Sequence, residues 1–272
     1  MLRCGSQTID LSRPVVMGVL NVTPDSFSDG GQYRELDAAV SHGLRMVEEG
    51  AAMIDVGGES TRPGAGPVDV EEEIRRVVPV IEKLRGQTDA IVSVDTSKPR
   101  VMRAAAAAGA GLINDVRALS EEGALEAAVG TQCAVCLMHM QGDPQSMQLA
   151  PRYDDVVNEV KAFLEQRVNV CRAAGMAADR IVIDPGFGFG KTLEHNLQLL
   201  RHLRQLGTAL PIMVGLSRKS IVGRLTGRPS GERVYGSVAL AMMAVINGAR
   251  IVRAHDVGAT ADALKIVAAV QG

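Results

Sequence analysis

Eight short apolar runs in this chain each give way to a polar residue: Asn21, Asp55, Asp95, Asn114, His139, Asp184, Ser217 and His255. Carboxylates, amides, a hydroxyl and imidazoles of this kind bind and orient a polar ligand, provided that something collects them. Parallel strands do so when their ends meet. In Ser93-Val94-Asp95 and Arg253-Ala254-His255, residues two apart share a strand face, so Ser93 points with Asp95 and Arg253 with His255. Any single Asp here also suits the N-cap of a following helix. Asp55, Asp95 and Asp184 together with Asn114 are more than capping requires.

Carboxylates and an amide facing an apolar interior suit a flat, nitrogen-rich heterocycle whose N–H donors pair with carboxylate oxygens; a sugar would use the same groups. The run Gly215-Leu-Ser-Arg-Lys-Ser220, with Arg253 and His255 beyond it, adds cations suited to phosphate oxygens or to a ring carbonyl. The alternative for Arg218 and Lys219 is a solvated surface pair. Two long polar stretches, Leu20–Gly31 with Phe27 and Gly57–Pro67, follow strands and read as lids over the site. A third, Asp184-Pro-Gly-Phe-Gly-Phe-Gly-Lys191, fits neither G-x-x-x-x-G-K-[ST] nor a dinucleotide fingerprint. Its two phenylalanines suggest an apolar wall for an aromatic ring. His139 reads equally as a structural histidine, and His42, His195 and His202 have no ligand spacing.

The elements that must position these groups alternate along the chain. Strands are expected at Val15–Leu20, Met53–Val56, Ala90–Val94, Gly111–Ile113, Ala134–Met138, Arg180–Ile183, Pro211–Val214 and Arg250–Arg253. Helical periodicity lies between them at Leu36–Glu49, Val70–Leu84, Pro99–Ala108, Gly123–Val129, Tyr153–Ala174, Leu193–Leu206, Ser220–Leu225 and Glu232–Ile246, with a last helix at Thr260–Val270. Gly50, Gly109, Gly175, Gly207 and Gly248 mark helix stops. Eight strands with crossover helices predict the α/β class and a (β/α)₈ TIM barrel, and 272 residues match the roughly 250 of one such domain. We expect one domain over 1–272, with residues 1–13 as a short N-terminal cap.

Hydrophobic residues make up 46% of the chain but aromatics only 3%, so the core must be aliphatic. A net charge of −2 with dispersed charges offers no footprint for nucleic acid or an anionic membrane. The start of the chain lacks a signal-peptide pattern and no apolar stretch reaches a membrane span, so a cytoplasmic location is expected. Cys4, Cys133, Cys136 and Cys171 are too scattered for a disulfide framework. Cys133 and Cys136, three apart on a strand, point to opposite faces and read as buried structural thiols.

Seven motifs in order carry a family resemblance: Met17-Gly-Val-Leu-Asn-Val-Thr-Pro-Asp-Ser-Phe-Ser-Asp-Gly-Gly31, Ile54-Asp-Val-Gly-Gly-Glu-Ser-Thr-Arg-Pro63, Ser93-Val-Asp-Thr96, Ile113-Asn-Asp-Val116, Ile183-Asp-Pro-Gly-Phe-Gly-Phe-Gly190, Gly215-Leu-Ser-Arg-Lys-Ser220 and Ile251-Val-Arg-Ala-His-Asp256. From Val16 to Ile266 the chain resembles the dihydropteroate synthases, departing at Ala254, where the family often carries a larger apolar residue. The resemblance implies condensation of 6-hydroxymethyl-7,8-dihydropterin diphosphate with 4-aminobenzoate, giving 7,8-dihydropteroate and diphosphate in folate biosynthesis. It implies that Asp95, Asn114, Asp184 and Lys219 hold the pterin, with Asp55 ordering them from behind. Asn21, Arg62, Arg253 and His255 would grip the diphosphate, with Mg²⁺ bridging its oxygens to Asn21. Thr61, Pro63, Phe189 and Ser220 would line the 4-aminobenzoate pocket, where sulfonamides compete.

The implied course is dissociative: a cation on the pterin methylene forms before the amine attacks, and Asp95, Lys219, Arg253 and His255 are the catalytic residues. A homodimer is implied too, and the stretch Glu232–Ile246, with Val234, Val238, Leu240, Ala241, Met242, Met243 and Val245, has more apolar surface than one buried stripe needs. Other readings remain open. A pterin-binding methyltransferase would share the ring grip but not the diphosphate set, a noncatalytic homologue would keep binding alone, and a subunit scaffold would use chiefly the apolar helix.

Overall fold

In the computed structural model, which describes residues 1–23, 31–60, 66–143, 146–207 and 210–271, an antiparallel hairpin of β1 (Leu2–Cys4) and β2 (Gln7–Ile9) precedes eight parallel strands. These are β3 (Val15–Asn21), β4 (Ala51–Gly57), β5 (Ile91–Asp95), β6 (Leu112–Asp115), β7 (Ala134–Met138), β8 (Ile181–Asp184), β9 (Met213–Gly215) and β10 (Ile251–Ala254). They pair in the order β8-β7-β6-β5-β4-β3-β10-β9, and a parallel bridge from Ile183 to Ile212 returns the sheet to its first edge. The result is a (β/α)₈ barrel. Around it run α1 (Gly31–Glu48), α2 (Val70–Arg85), α3 (Pro99–Ala107), α4 (Ala124–Gly130), α5 (Val156–Ala173), α6 (Leu193–Arg201), α7 (Leu203–Leu206), α8 (Ser220–Thr226), α9 (Val234–Ile246) and α10 (Val257–Gln271).

Strand alternation divides the apolar residues into two cores. Met17, Met53, Ile91, Leu112, Cys136, Val182, Met213 and Ile251 pack with one another inside the lower barrel, and Leu2, Cys4 and Leu11 join them from below. Their neighbours Val16, Ile54, Val92, Ile113, Val135, Ile183, Val214 and Val252 face outward and pack with the helices. Cys133 belongs to the outer core and Cys136 to the inner one, as three-residue spacing on a strand requires. Both are free thiols. With the lower interior filled by apolar side chains, Asp55, Ser93, Asn114, Asp184 and Arg253, each next on the inward face of its strand, are left toward the carboxyl-end mouth.

Helices α1 and α10 begin ahead of the expected Leu36 and Thr260, at Gly31 and Val257, and one expected helix is broken. Leu193–Leu206 is not one helix but two, α6 and α7, broken at His202. Asn247 Nδ2 donates to the Leu200 carbonyl at 2.8 Å beside the break. Gly207, expected as a left-handed stop, instead has φ −68°, whereas Gly50 and Gly109 stop their helices at φ of 108° and 105°. Among the described residues no helix is long and apolar enough to cross a membrane.

Candidate active site

At the mouth, Asn21, Gly57, Asp95 and Asn114 lie in one register row across β3, β4, β5 and β6. One step below sits Asp55, fully buried. Its carboxylate accepts from Ser93 Oγ at 2.6 Å, from Asn114 Nδ2 at 2.9 Å and from Arg253 Nε at 2.6 Å. Arg253 Nη2 also donates to Asp95 Oδ2 at 2.9 Å. Burial pushes the Asp95 carboxyl up to about 7, against the pull of Arg253 and helped by the charge on Asp55. Burial opposes the charge on Arg253 itself, but Asp55 and Asp95 outweigh it and keep the guanidinium protonated.

Asp184, at the end of β8, is buried, and its Oδ1 accepts the Gly186 N–H at 2.7 Å. Its carboxyl is raised by burial, with the Lys219 ammonium and the Gly186 N–H pulling the other way. Lys219 precedes α8 and points inward, donating to the Phe187 carbonyl at 2.5 Å and lying 4.6 Å from the centre of the Phe189 ring. Burial lowers its ammonium to about 8, with Asp184 opposing. Arg218 parts from its neighbour. At φ 58° the chain turns it outward, and Nε and Nη2 reach Asp256 at 3.1 and 2.5 Å. The two cations are therefore not a pair: Lys219 serves the lumen and Arg218 ties two loops.

The loop after β8 corrects one expectation. Phe187 is fully buried in the outer core and lines nothing, while Phe189 is half-buried beside Lys219. Gly188 between them, like Gly186 and Gly190 on either side, carries positive φ, so the two rings do not share a face. Gly186 stands at φ 68°, and a Cβ there would lie 1.9 Å from the His139 carbonyl oxygen. Gly175 also has positive φ, at 92°, but a Cβ there meets open space. Gly175→Ala is expected to cost about 1–3 kcal/mol for the backbone conformation alone. Gly186→Ala adds a backbone collision and should unfold at distinctly lower denaturant; equal midpoints would show that the loop yields.

His255 follows β10, its Nδ1 3.1 Å from Ser217 Oγ, which also accepts the His255 N–H at 3.1 Å. Ser220 is the exposed first residue of α8. Phe27, Thr61, Arg62 and Pro63 lie outside the described residues. The structure thus gathers Asp55, Asp95, Asn114, Asp184, Lys219 and Arg253 around one polar hollow, with Asn21 and His255 at its rim. Carboxylate acceptors and an ammonium deep inside can hold a heterocycle, and a guanidinium beside the rim can hold an anion.

Residues 17–255 match the family model described as pterin binding enzyme. The dihydropteroate synthase of Escherichia coli strain K12 is 53% identical over 263 residues, covering 96% of this chain and 93% of that protein. That of Haemophilus influenzae is 51% identical over 266 residues, covering 97% of each. The chain belongs to the dihydropteroate synthase family. Among solved structures, the Yersinia pestis dihydropteroate synthase with a sulfonamide drug complex superposes with a TM-score of 0.94 at 54% identity, covering 99% of this chain and 98% of that one. The Xanthomonas albilineans enzyme in complex with 7,8-dihydropteroate gives 0.90 at 52% identity, with 99% and 98% covered.

Within the frame of dihydropteroate synthases, three further residues stand out that sequence reasoning passed over. Asp115 is fully buried and accepts from Ser97 Oγ and from the Arg117 and Leu119 N–H groups, both at 2.8 Å, so it ties the turn after β6. Alternation from Asn114 would have turned it away from the lumen. Lys98, before α3, donates to Glu59, Glu73 and the Val68 carbonyl, joining both stems of the second loop. Lys191 is a buried lysine whose ammonium sits 2.9 Å from His139 Nδ1. The remaining histidine in this region, His195, completes a capping box with Thr192 at the start of α6.

Proposed function

We propose that the hollow at the barrel mouth condenses 6-hydroxymethyl-7,8-dihydropterin diphosphate with 4-aminobenzoate, releasing diphosphate and 7,8-dihydropteroate. The pterin lies in the lumen, its N–H donors against Asp95 and Asp184, its acceptors against Asn114 and Lys219. Asp55 holds Asn114 and Arg253 in place through the bonds described above. Asn21, Arg62, Arg253 and His255 take the diphosphate, and Thr61, Pro63, Phe189 and Ser220 line the site of the amine, where sulfonamides compete.

The observation that carries this reading is the meeting of Asp95 and Arg253, 2.9 Å apart. One place stabilises positive charge and the adjoining place stabilises negative charge, as the parting of a pterin methylene from diphosphate demands. The C–O bond breaks with its electron pair leaving on diphosphate, and the amine nitrogen then attacks the methylene carbon and loses a proton. No protein nucleophile takes part.

Among the described residues no group of three or more His, Cys, Asp or Glu is arranged to cage a metal ion. The residues do fit magnesium held largely by substrate. A Cβ on Gly57 would stand 3.6 Å from Asn21 Oδ1 and 3.9 Å from Asp95 Oδ2, so the glycine keeps a side chain out from between these oxygens, and Mg²⁺ commonly takes few protein ligands and keeps waters and phosphate oxygens. When bound through Asn21, it would neutralise charge on the leaving diphosphate.

The two ionisations set a pH window. Asp95 must be ionised to stabilise the cation, so kcat/KM falls as pH drops below about 7. Lys219 must be protonated to donate to the ring, so it also falls as pH rises above about 8. A bell-shaped profile is expected, and Lys219→Arg should move its alkaline limb upward. A profile flat from pH 6 to 9 would exclude both assignments.

The outer face of α9 exposes Tyr235 and Met243, and α10 exposes Ile266 and Val270. This apolar surface supports a homodimer in a cytoplasmic enzyme. The whole reading is tested by giving purified protein the pterin diphosphate, Mg²⁺ and 4-aminobenzoate and identifying the product by mass. Dihydropteroate that needs both substrates is the expected result. Pterin binding with no dihydropteroate would point instead to a noncatalytic homologue or a methyltransferase.

A further inference from the structure

The glycine loop between β8 and α6 is gripped along its backbone by side chains that, Lys219 apart, the transfer reaction does not itself employ. Four consecutive carbonyls each accept a hydrogen bond: Phe187 from Lys219 Nζ at 2.5 Å, Gly188 from Gln148 Nε2 at 2.5 Å, Phe189 from Lys191 Nζ at 2.9 Å and Gly190 from Tyr153 Oη at 2.9 Å. The donors come from the residue before α8, from the segment between β7 and α5, and from the end of the loop itself. On the donor side of the loop, the Gly188 N–H reaches Asn196 Oδ1 of α6 at 2.7 Å.

Lys191 is central to this grip. It is buried, and its ammonium also lies 3.3 Å from the His139 carbonyl and 2.9 Å from His139 Nδ1. Burial lowers the Lys191 ammonium to about 7, with Asp184 opposing; in its charged form it only donates, so Nδ1 then accepts and His139 carries its proton on Nε2. Burial, and then the charge on Lys191, hold that imidazole neutral, lowered to about 3. A buried ammonium persists only where acceptors surround it, and here they are the end of β7 and the tip of the glycine loop. Gly186, Gly188 and Gly190 all stand at positive φ, so the segment has much conformational entropy to lose and little of its own to hold it.

We propose that Lys191, with Tyr153 and Gln148, is a positioning residue for the transfer reaction: the grip on successive carbonyls presents Asp184, at the start of the loop, to the pterin and Phe189, at its tip, to the amine. This rests on the reading of Asp184 and Phe189 given above. None of the three touches substrate in that reading; they act through the backbone. Lys219 donates both to this loop and to the ring, which links loop placement to pterin binding.

Lys191→Met keeps the length of the side chain without its charge, and a double variant, Tyr153→Phe with Gln148→Ala, removes the two outer donors at half-buried and exposed positions. Steady-state kinetics on the whole enzyme, varying each substrate, are measured with thermal unfolding alongside. Both KM values are expected to rise, and kcat/KM for each substrate to fall about 10²-fold, in Lys191→Met, since a misplacement of about 1 Å costs that much in rate. In the double variant they should rise about 5- to 10-fold, as loss of one to two ordinary hydrogen bonds implies. A merely structural role lowers the active fraction, so kcat falls while both KM values stand still, and that result overturns the proposal. Should Lys191→Met fail to fold, unchanged KM values in the double variant overturn it alone. A wild-type enzyme that forms no dihydropteroate overturns the reading of Asp184 and Phe189 instead.

Discussion

Asp95→Asn is expected to lower turnover by about 10²- to 10³-fold, the usual loss when one preorganised charge-stabilising group is removed from a site that excludes water. The substitution keeps shape and one hydrogen-bond acceptor for Arg253, but it removes the negative charge that faces the nascent cation. The fold should survive. Because burial raises this carboxyl to about 7 in the folded protein, above the roughly 3.9 of an unfolded aspartate, the folded state takes up a proton between those values. Its contribution to stability is therefore greatest below about 4 and declines as pH rises through 7. At pH 8 the variant should melt no lower than the wild type while losing activity. Near-normal turnover in a well-folded variant would remove Asp95 from the mechanism.

Arg253→Met should damage both stability and reaction. Its guanidinium is the partner of two carboxylates, Asp55 at 2.6 Å and Asp95 at 2.9 Å, and Asp55 is fully buried. Leaving a buried charge without its counterion typically costs about 3–5 kcal/mol. Asp55 keeps Ser93 and Asn114 as donors, so the low end is expected here. Without Arg253 the Asp95 carboxyl rises further and is neutral at pH 6, which relieves part of the repulsion. The loss of stability in a denaturant titration should then be larger at pH 8 than at pH 6, and an equal loss at both would show that the guanidinium does not hold these carboxylates. Diphosphate affinity should fall with it, since the same group faces the anion.

The barrel was legible because strand alternation is a rigid rule. From Ser93-Val94-Asp95 and from Cys133 and Cys136, the inner and outer cores follow, and with them the placement of Asp95 and Asn114 at the mouth. Family motifs added the reading of Lys219 and Arg253. Loops obey no such period. Phe187 and Phe189 are two apart, yet left-handed glycines on either side turn one ring into the outer core and leave the other at the site. Lys191 ends a glycine-rich stretch whose pattern assigns that side chain no partner. It is buried with its ammonium against His139, just past β7, a contact between segments far apart in the chain that no local pattern encodes. The break at His202 has the same origin, since Asn247 lies far along the chain.

The central claim is that the carbon–oxygen bond of the pterin methylene breaks before the amine attacks, with Asp95 steadying the cation. Deuterium on that methylene tests it, measured as a competitive secondary isotope effect on turnover in the wild type and in Asp95→Asn, where chemistry limits the rate. A dissociative transition state frees the methylene hydrogens as the carbon becomes planar, so the light substrate should react faster in both, and more plainly in the variant. Equal rates for light and heavy substrate in Asp95→Asn would mean that attack and departure are concerted, and would contradict the account.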